Sequence, residues 1–168
     1  MIRLFHRLAR DVRGASAAEM ALVTPLLLII MFGSFELGNY FFNEHTLVKA
    51  VRDGARFAAR QSFSSYPDCS TVTTAAQDAT KNVVMYGYLS GTNTLTPNIS
   101  AANITVSTSC SATAGTQTML GIYRGRSTGA QIVTVSATVS YRTILGSFGF
   151  SGLSINLNAA SQAAVQGI

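Results

Sequence analysis

The run MALVTPLLLIIMFGSF, residues 20–35, decides how the rest of this 168-residue chain is read. Its 16 residues carry no charge and make about 24 Å of α-helix at roughly 1.5 Å per residue. A hydrocarbon core is roughly 30 Å thick, so the run alone is slightly short. Extended to Ala15 and Phe42 it is long enough, but it then includes Glu19 and Glu36. Ahead of it, MIRLFHRLARDVR carries Arg3, Arg7, Arg10 and Arg13 against Asp11. A secretory signal would end in a small-x-small cut, and the nearest site, after Ser34, puts Phe32 where a small residue is needed. A buried core helix fits poorly with the basic flank. The reading is a retained single-pass anchor. Pro25 removes one backbone hydrogen bond and predicts a kink, tolerated in lipid when a neighbour such as Thr24 compensates. Lys49, Arg52, Arg56 and Arg60 balance the four leading arginines, so the positive-inside count ties. The crowding of the first four, the free amine and an exported look downstream place the N-terminus in the cytoplasm.

Glu19 is the most informative residue, because a carboxylate in an apolar helix is costly in lipid and calls for a partner. Gly14 lies five residues earlier, with only small residues between: Ala15, Ser16, Ala17 and Ala18. Basic leader, Gly, four small residues, Glu and a long apolar run resemble the processing site of type IV pilin-like proteins. The likeness extends through GASAAEMALVTPLLLIIMFGSFELGNYFFNEHTLVKAVRDGARFAAR, residues 14–60. The stretch resembles the TadE-like family of the tight-adherence pilus system. The residues that carry this are the Gly-to-Glu start, Ala21-Leu22-Val23 with Pro25, Gly33, Glu36-Leu37-Gly38 and Gly54-Ala55-Arg56-Phe57-Ala58. Met20 departs from the aromatic common after the Glu, and Asn39 from a frequent Arg.

The resemblance implies a pseudopilin or minor pilin cut after Gly14 by a membrane prepilin peptidase, with Ala15 as the new N-terminus. Its partners would be that peptidase, other pilins and minor pilins, the inner-membrane assembly platform and the lipid bilayer. Glu19 would neutralise a neighbouring subunit's terminal amine and fix axial register, since each charge is costly when buried alone. The plain alternative is a glutamate near a helix N-terminus, which is favourable anyway. Glu36 follows by 17 residues, about −100° of rotation, so the two do not share a face. It reads either as an interfacial residue or as an inter-subunit hydrogen-bonding group. Pro25 and Gly54 are the other expected inter-subunit helix positions.

Helical spacing continues beyond the membrane run. Leu47, Val51, Ala55 and Ala58 form one face with Gly54, and Arg52, Arg56 and Arg60 form a ridge elsewhere. The ridge reads as a solvated face or a contact for anionic head groups. Lys49 and Asp53, four apart, allow a weak pair. One helix is expected over 15–62.

The composition then changes, with Ser and Thr supplying 32 of the last 108 residues. A turn at Tyr66-Pro67-Asp68 precedes a helix over 72–86, with Val72, Ala76, Ala79 and Val83 on one face. Gly87, Gly91 and Pro97 end it. Strands are expected at Asn103–Ser109, at Ala130–Arg142 and through Leu153, Ile155 and Leu157. In the second, Val133, Val135, Ala137, Val139 and Tyr141 alternate with Thr and Ser. Gly146–Gly152 joins the last two as a loop. The fold class is α+β and pilin-like: a transmembrane helix continuing into a stalk, then a small exported domain with one helix on a three-stranded antiparallel sheet. The domains are a leader (1–14), anchor and stalk (15–62) and a periplasmic domain (63–168). Cys69 and Cys110 either pair in an oxidising periplasm or remain two buried thiols.

The composition excludes other classes. Charged residues are 11% of the chain, where about 25% is usual. Of 19 charges, 13 fall in residues 1–60, so there is no basic stripe for nucleic acid downstream. His6 and His45 are the sole histidines, and no C-x-x-C or H-x-x-x-H occurs, so no metal or cofactor is expected. No G-x-S-x-G elbow exists and no histidine follows residue 45, which argues against an enzyme and a small-molecule substrate. GIYRGRSTG, 121–129, reads as a loop, since it lacks a P-loop lysine. Asn98-Ile-Ser100 and Asn103-Ile-Thr105 match glycosylation sequons, as Ser/Thr-rich chains do by chance. The expected function is minor pilin or pseudopilin at the bacterial inner membrane. The alternative is a membrane-anchored periplasmic binding module unrelated to pili. Loss of residues 1–14 removes four Arg and one Asp, taking the net charge from +5 to +2.

Overall fold

The computed structural model describes residues 14–111, 121–124, 129–148 and 155–167. The leader 1–13, residues 149–154 including Leu153, and positions 125–128 of the glycine-rich loop lie outside the described residues. By packing, the chain divides into two units, Met1–Asn39 and Tyr40–Ile168.

The first unit, so far as it is described, is the N-terminal part of helix α1, Ala15–Ala59. The helix assignment runs unbroken through Pro25. Pro25 has no N–H to give the carbonyl of Ala21. The Thr24 hydroxyl donates instead to the Met20 carbonyl at 2.6 Å, one residue before the site the proline leaves. The Ser34 hydroxyl likewise donates to Ile30 at 2.8 Å. Both polar side chains thus spend their donors inside the helix, as a segment in lipid would require.

The second unit is a helix pair on a sheet. The rest of α1 is followed by a short 3₁₀ turn at Phe63–Ser65, helix α2 at Thr74–Tyr86, and strands β1, Ile104–Cys110, β2, Gln131–Ser140, and β3, Asn156–Ala164. The sheet order is β1-β2-β3, all antiparallel. Register runs from Ile104 opposite Ala137 to Cys110 opposite Gln131, and from Ile132 opposite Ala164 to Ser140 opposite Asn156. Alternation in β2 is realised as expected: Val133, Val135, Ala137 and Val139 are buried, with Tyr141 continuing the face. Leu47, Val51, Ala55 and Ala58 of α1 close the core from the other side.

Element ends differ from the sequence expectation for identifiable reasons. Helix α1 stops at Ala59, not Ser62. Another turn would need the Ala58 and Ala59 carbonyls to accept from residues 62 and 63. The Tyr66 hydroxyl takes the first at 2.6 Å and the Gln166 N–H the second at 2.7 Å. Helix α2 starts two residues later than expected, leaving Val72 buried but outside it. Its buried face is Ala76, Thr80, Val83 and Val84, so Thr80 replaces Ala79. Gly87 ends it in a left-handed conformation, φ 82°, its N–H on the Val83 carbonyl at 2.8 Å. Strand β3 covers a stretch of Asn, Ala, Ser and Gln with little β-propensity. Its extent is imposed by pairing with β2, and its own side chains give a weak signal.

Candidate membrane and assembly site

The sequence-predicted residues fall into two groups. Gly14, Ala15, Glu19, Pro25 and Glu36 lie in the first unit, and Gly54, Cys69 and Cys110 in the second. Glu19 is the fifth residue of α1 and is exposed, as are Ser16, Ala17 and Ala18 before it. It therefore stands beyond the first turn, where a carboxylate gains most from the helix dipole. Gly14 precedes the helix, and a Cβ built on it would meet nothing within 4 Å. The chain's own packing gives no reason for a glycine there. Gly33 and Gly38 are equally unencumbered.

The apolar side chains between them are open to the surroundings. Leu22 is 80% exposed, Ile29 70% and Phe35 64%. Ser16–Ala59 contains the one helix among the described residues long and apolar enough to cross a membrane, and none of its most apolar window is buried. A helix with so much exposed Leu and Ile needs lipid or other helices around it. Glu36 is half-buried and has a polar partner.

In the second unit the face of α1 with Gly54 turns inward. A Cβ on Gly54 would lie 2.3 Å from Cγ2 of Val84, itself fully buried. The close approach that this glycine permits is thus used between α1 and α2 of one chain. The ridge Arg52, Arg56 and Arg60 is exposed. Asp53 meets Arg56 at 3.8 Å, three residues on, in place of the expected pair with Lys49.

Cys69 and Cys110 are joined, with Cα atoms 5.1 Å apart. The link ties the turn after α1 to the end of β1. Gln131, opposite Cys110 at the start of β2, is fully buried. Its Nε2 donates to the Tyr66 carbonyl at 2.9 Å and the Asp68 carbonyl at 3.1 Å, pinning the same turn. Tyr66 is fully buried too, and desolvation pushes its pKa up to about 12. Asp68 accepts from the Ser70 N–H at 2.7 Å, the Thr71 N–H at 2.5 Å and the Ser70 hydroxyl at 3.0 Å. These donors, the Ser70 N–H first, hold its carboxyl below the usual carboxylate value. Sequence reasoning passed over Gln131 and read Tyr66 only as the start of a turn. The one legible signal was the parity of Gln131, which puts a polar residue on the apolar face of β2.

Among the described residues no group of three or more His, Cys, Asp or Glu could hold a metal ion. What the arrangement offers is an apolar helix that carries an exposed carboxylate, and a domain clamped by a disulfide. A family model described as TadE-like protein matches residues 14–56, 43 of the 168 residues. No curated protein and no solved structure matches the chain.

Proposed function

We propose, from the premise that this chain carries a TadE-like region at residues 14–56, that it is a minor pilin or pseudopilin of a tight-adherence pilus. The single observation behind this is the family match, which begins at Gly14 and contains Glu19 and Glu36. In this reading α1 sits as a single pass in the bacterial inner membrane, leader in the cytoplasm and domain in the periplasm. A prepilin peptidase cuts after Gly14, and Ala15 becomes the N-terminus. The open surroundings of Gly14 suit this, because a peptidase needs an uncovered backbone and the fold does not itself use the glycine.

Glu19 then pairs with the terminal amine of an adjacent subunit. A carboxylate exposed on an apolar helix is costly in lipid, and a partner ammonium removes that cost while setting the stagger between helices. Pro25 and Glu36 would take part in the same helix bundle, and the assembly platform and other pilins supply its members. The role is structural, and no catalytic step is assigned.

N-terminal sequencing of the membrane-extracted protein tests the processing. A mature chain starting at Ala15 is expected, and an intact Met1 would sink the peptidase step. Glu19→Ala should abolish pili while leaving membrane insertion intact, and normal pili in that variant would remove the pairing role.

A further inference from the structure

We propose that the outer edge of β3 takes up an extended, acidic segment of another protein, which adds to the sheet as an antiparallel strand beside the cationic flank of α1. The site lies wholly within Tyr40–Ile168 and stands whether or not α1 spans a membrane.

Strand β3 ends the order β1-β2-β3, and among the described residues no strand pairs with its far side. The Val165 N–H donates to the Gln131 carbonyl, in the same register that sets Ile132 opposite Ala164. Leu157, Ala159, Ser161 and Ala163 therefore turn their N–H and C=O groups toward β2, while Asn158, Ala160, Gln162 and Ala164 turn theirs outward. All four of the outward residues are exposed. Folded proteins blunt such an edge with proline, lysine, a bulge or a short strand. Strand β3 has none of these: its nine residues, NLNAASQAA, carry no charge and no proline, and its register with β2 is unbroken. The opposite edge strand, β1, is shorter at seven residues and is tied at Cys110 to Cys69.

Charge selects the occupant. Helix α2 packs on the β1 side of the sheet, and Gly54 of α1 faces Val84 of α2, so the other flank of α1 lies on the β3 side. There Arg56, Ala59 and Arg60 line one cleft of about 250 Å³ with Ala163, Ala164 and Gln166, and the Gln166 N–H donates to the Ala59 carbonyl at 2.7 Å. Lys49 and Arg52 fall within about 80° of these two arginines at 3.6 residues per turn, and all four cations are exposed. Asp53 reaches Arg56 at 3.8 Å, while Lys49, Arg52 and Arg60 have no ion pair among the described residues. The β3 side chains on the helix side of the sheet beyond Leu157 are Ala159, Ser161 and Ala163, small and half-buried. A strand laid along the edge would place every second side chain on that same side, next to the cations, where carboxylates complement them. Main-chain bonds then supply affinity and the alternate side chains specificity. A second copy of β3 is the wrong occupant, because an uncharged strand leaves the cations unmatched.

The test uses the full chain in neutral detergent micelles and, as probe, an end-capped fluorescent peptide as long as β3 that alternates Glu with Thr and Val. Saturable binding is expected, with slower amide exchange at Asn158, Ala160, Gln162 and Ala164 and no change at Ala159, Ser161 and Ala163, whose N–H groups face β2. Arg56→Gln with Arg60→Gln should weaken binding about fivefold, as should Gln in place of Glu in the peptide, and high salt should act in the same direction. Ala160→Pro removes only an outward N–H, which an edge strand tolerates, and should abolish binding while circular dichroism stays unchanged. Should that variant not fold, a peptide N-methylated at its Thr and Val residues, whose N–H groups would face β3, makes the same test on the unaltered protein and should not bind. Absence of saturable binding overturns the proposal. Binding that survives N-methylation, or that leaves the outward amides exchanging freely, is ion pairing without strand addition and overturns it too. Equal binding of the Gln peptide removes the acidic requirement and with it the proposal. Exchange at the outward amides that slows with protein concentration alone gives the edge to a second copy, and exchange that slows with phosphatidylglycerol but not with peptide gives the flank to lipid; either result overturns it.

Discussion

Gly54→Ala is the sharpest probe of the packing between α1 and α2. By helix propensity alone the change should stabilise α1 by about 1 kcal/mol. The structure opposes this, because the added methyl would lie 2.3 Å from Cγ2 of Val84. Val84 is β-branched and fully buried, so turning it drives a methyl into the core instead of relieving the clash. Overpacking of this kind costs about 1–3 kcal/mol. The net expectation is a loss of about 0–2 kcal/mol. In a Val84→Ala background the obstruction is gone, since the remaining Val84 contact, with Cβ, is 3.7 Å away. There Gly54→Ala should stabilise by about 1 kcal/mol, a reversal of sign. The difference between backgrounds is a coupling of about 1–3 kcal/mol. It is read from urea unfolding of the full chain in detergent micelles, followed by the near-ultraviolet signal of its tyrosines. If the two changes add within about 0.5 kcal/mol, Gly54 does not face Val84 and the packing argument fails.

Three further outcomes follow from the clamp around Tyr66. Its pKa, raised from 10.0 to about 12, means that the folded chain holds a proton the unfolded chain releases. That stability is complete below pH 10 and falls by about 3 kcal/mol as pH rises to 12; Tyr66→Phe should remove this part of the alkaline loss in denaturant titrations against pH. Cys69→Ser with Cys110→Ser opens a loop closed across a separation of 41 residues and should cost about 4 kcal/mol, seen as a lower urea midpoint. Gln131→Leu keeps the bulk but strands the Tyr66 and Asp68 carbonyls, for a loss of about 1–3 kcal/mol and faster amide exchange through 66–71.

What the sequence determined by itself are the features written in local periodicity. The apolar helix shows in an uncharged run, the likeness to the TadE-like family in fixed short spacings that begin at Gly14, and β2 in strict alternation from Val133 to Tyr141. Each depends on residues within one element, where backbone geometry translates spacing directly into a face. The inward face of α1 at Leu47, Val51, Ala55 and Ala58 was legible for the same reason.

Only the tertiary structure decided which faces meet. Gly54 reads as a small residue suited to any close helix, and the fold gives it Val84, thirty residues on. Cys69 and Cys110 are neighbours only in the fold, where Gln131, opposite Cys110 in the sheet, also reaches across to the Tyr66–Asp68 turn. The end of α1 and the extent of β3 were set by competition for carbonyls and by a neighbouring strand, not by propensity. Hydrogen bonds and clashes between residues of different elements leave no periodic trace in a chain, so they exist as information only once the chain has folded.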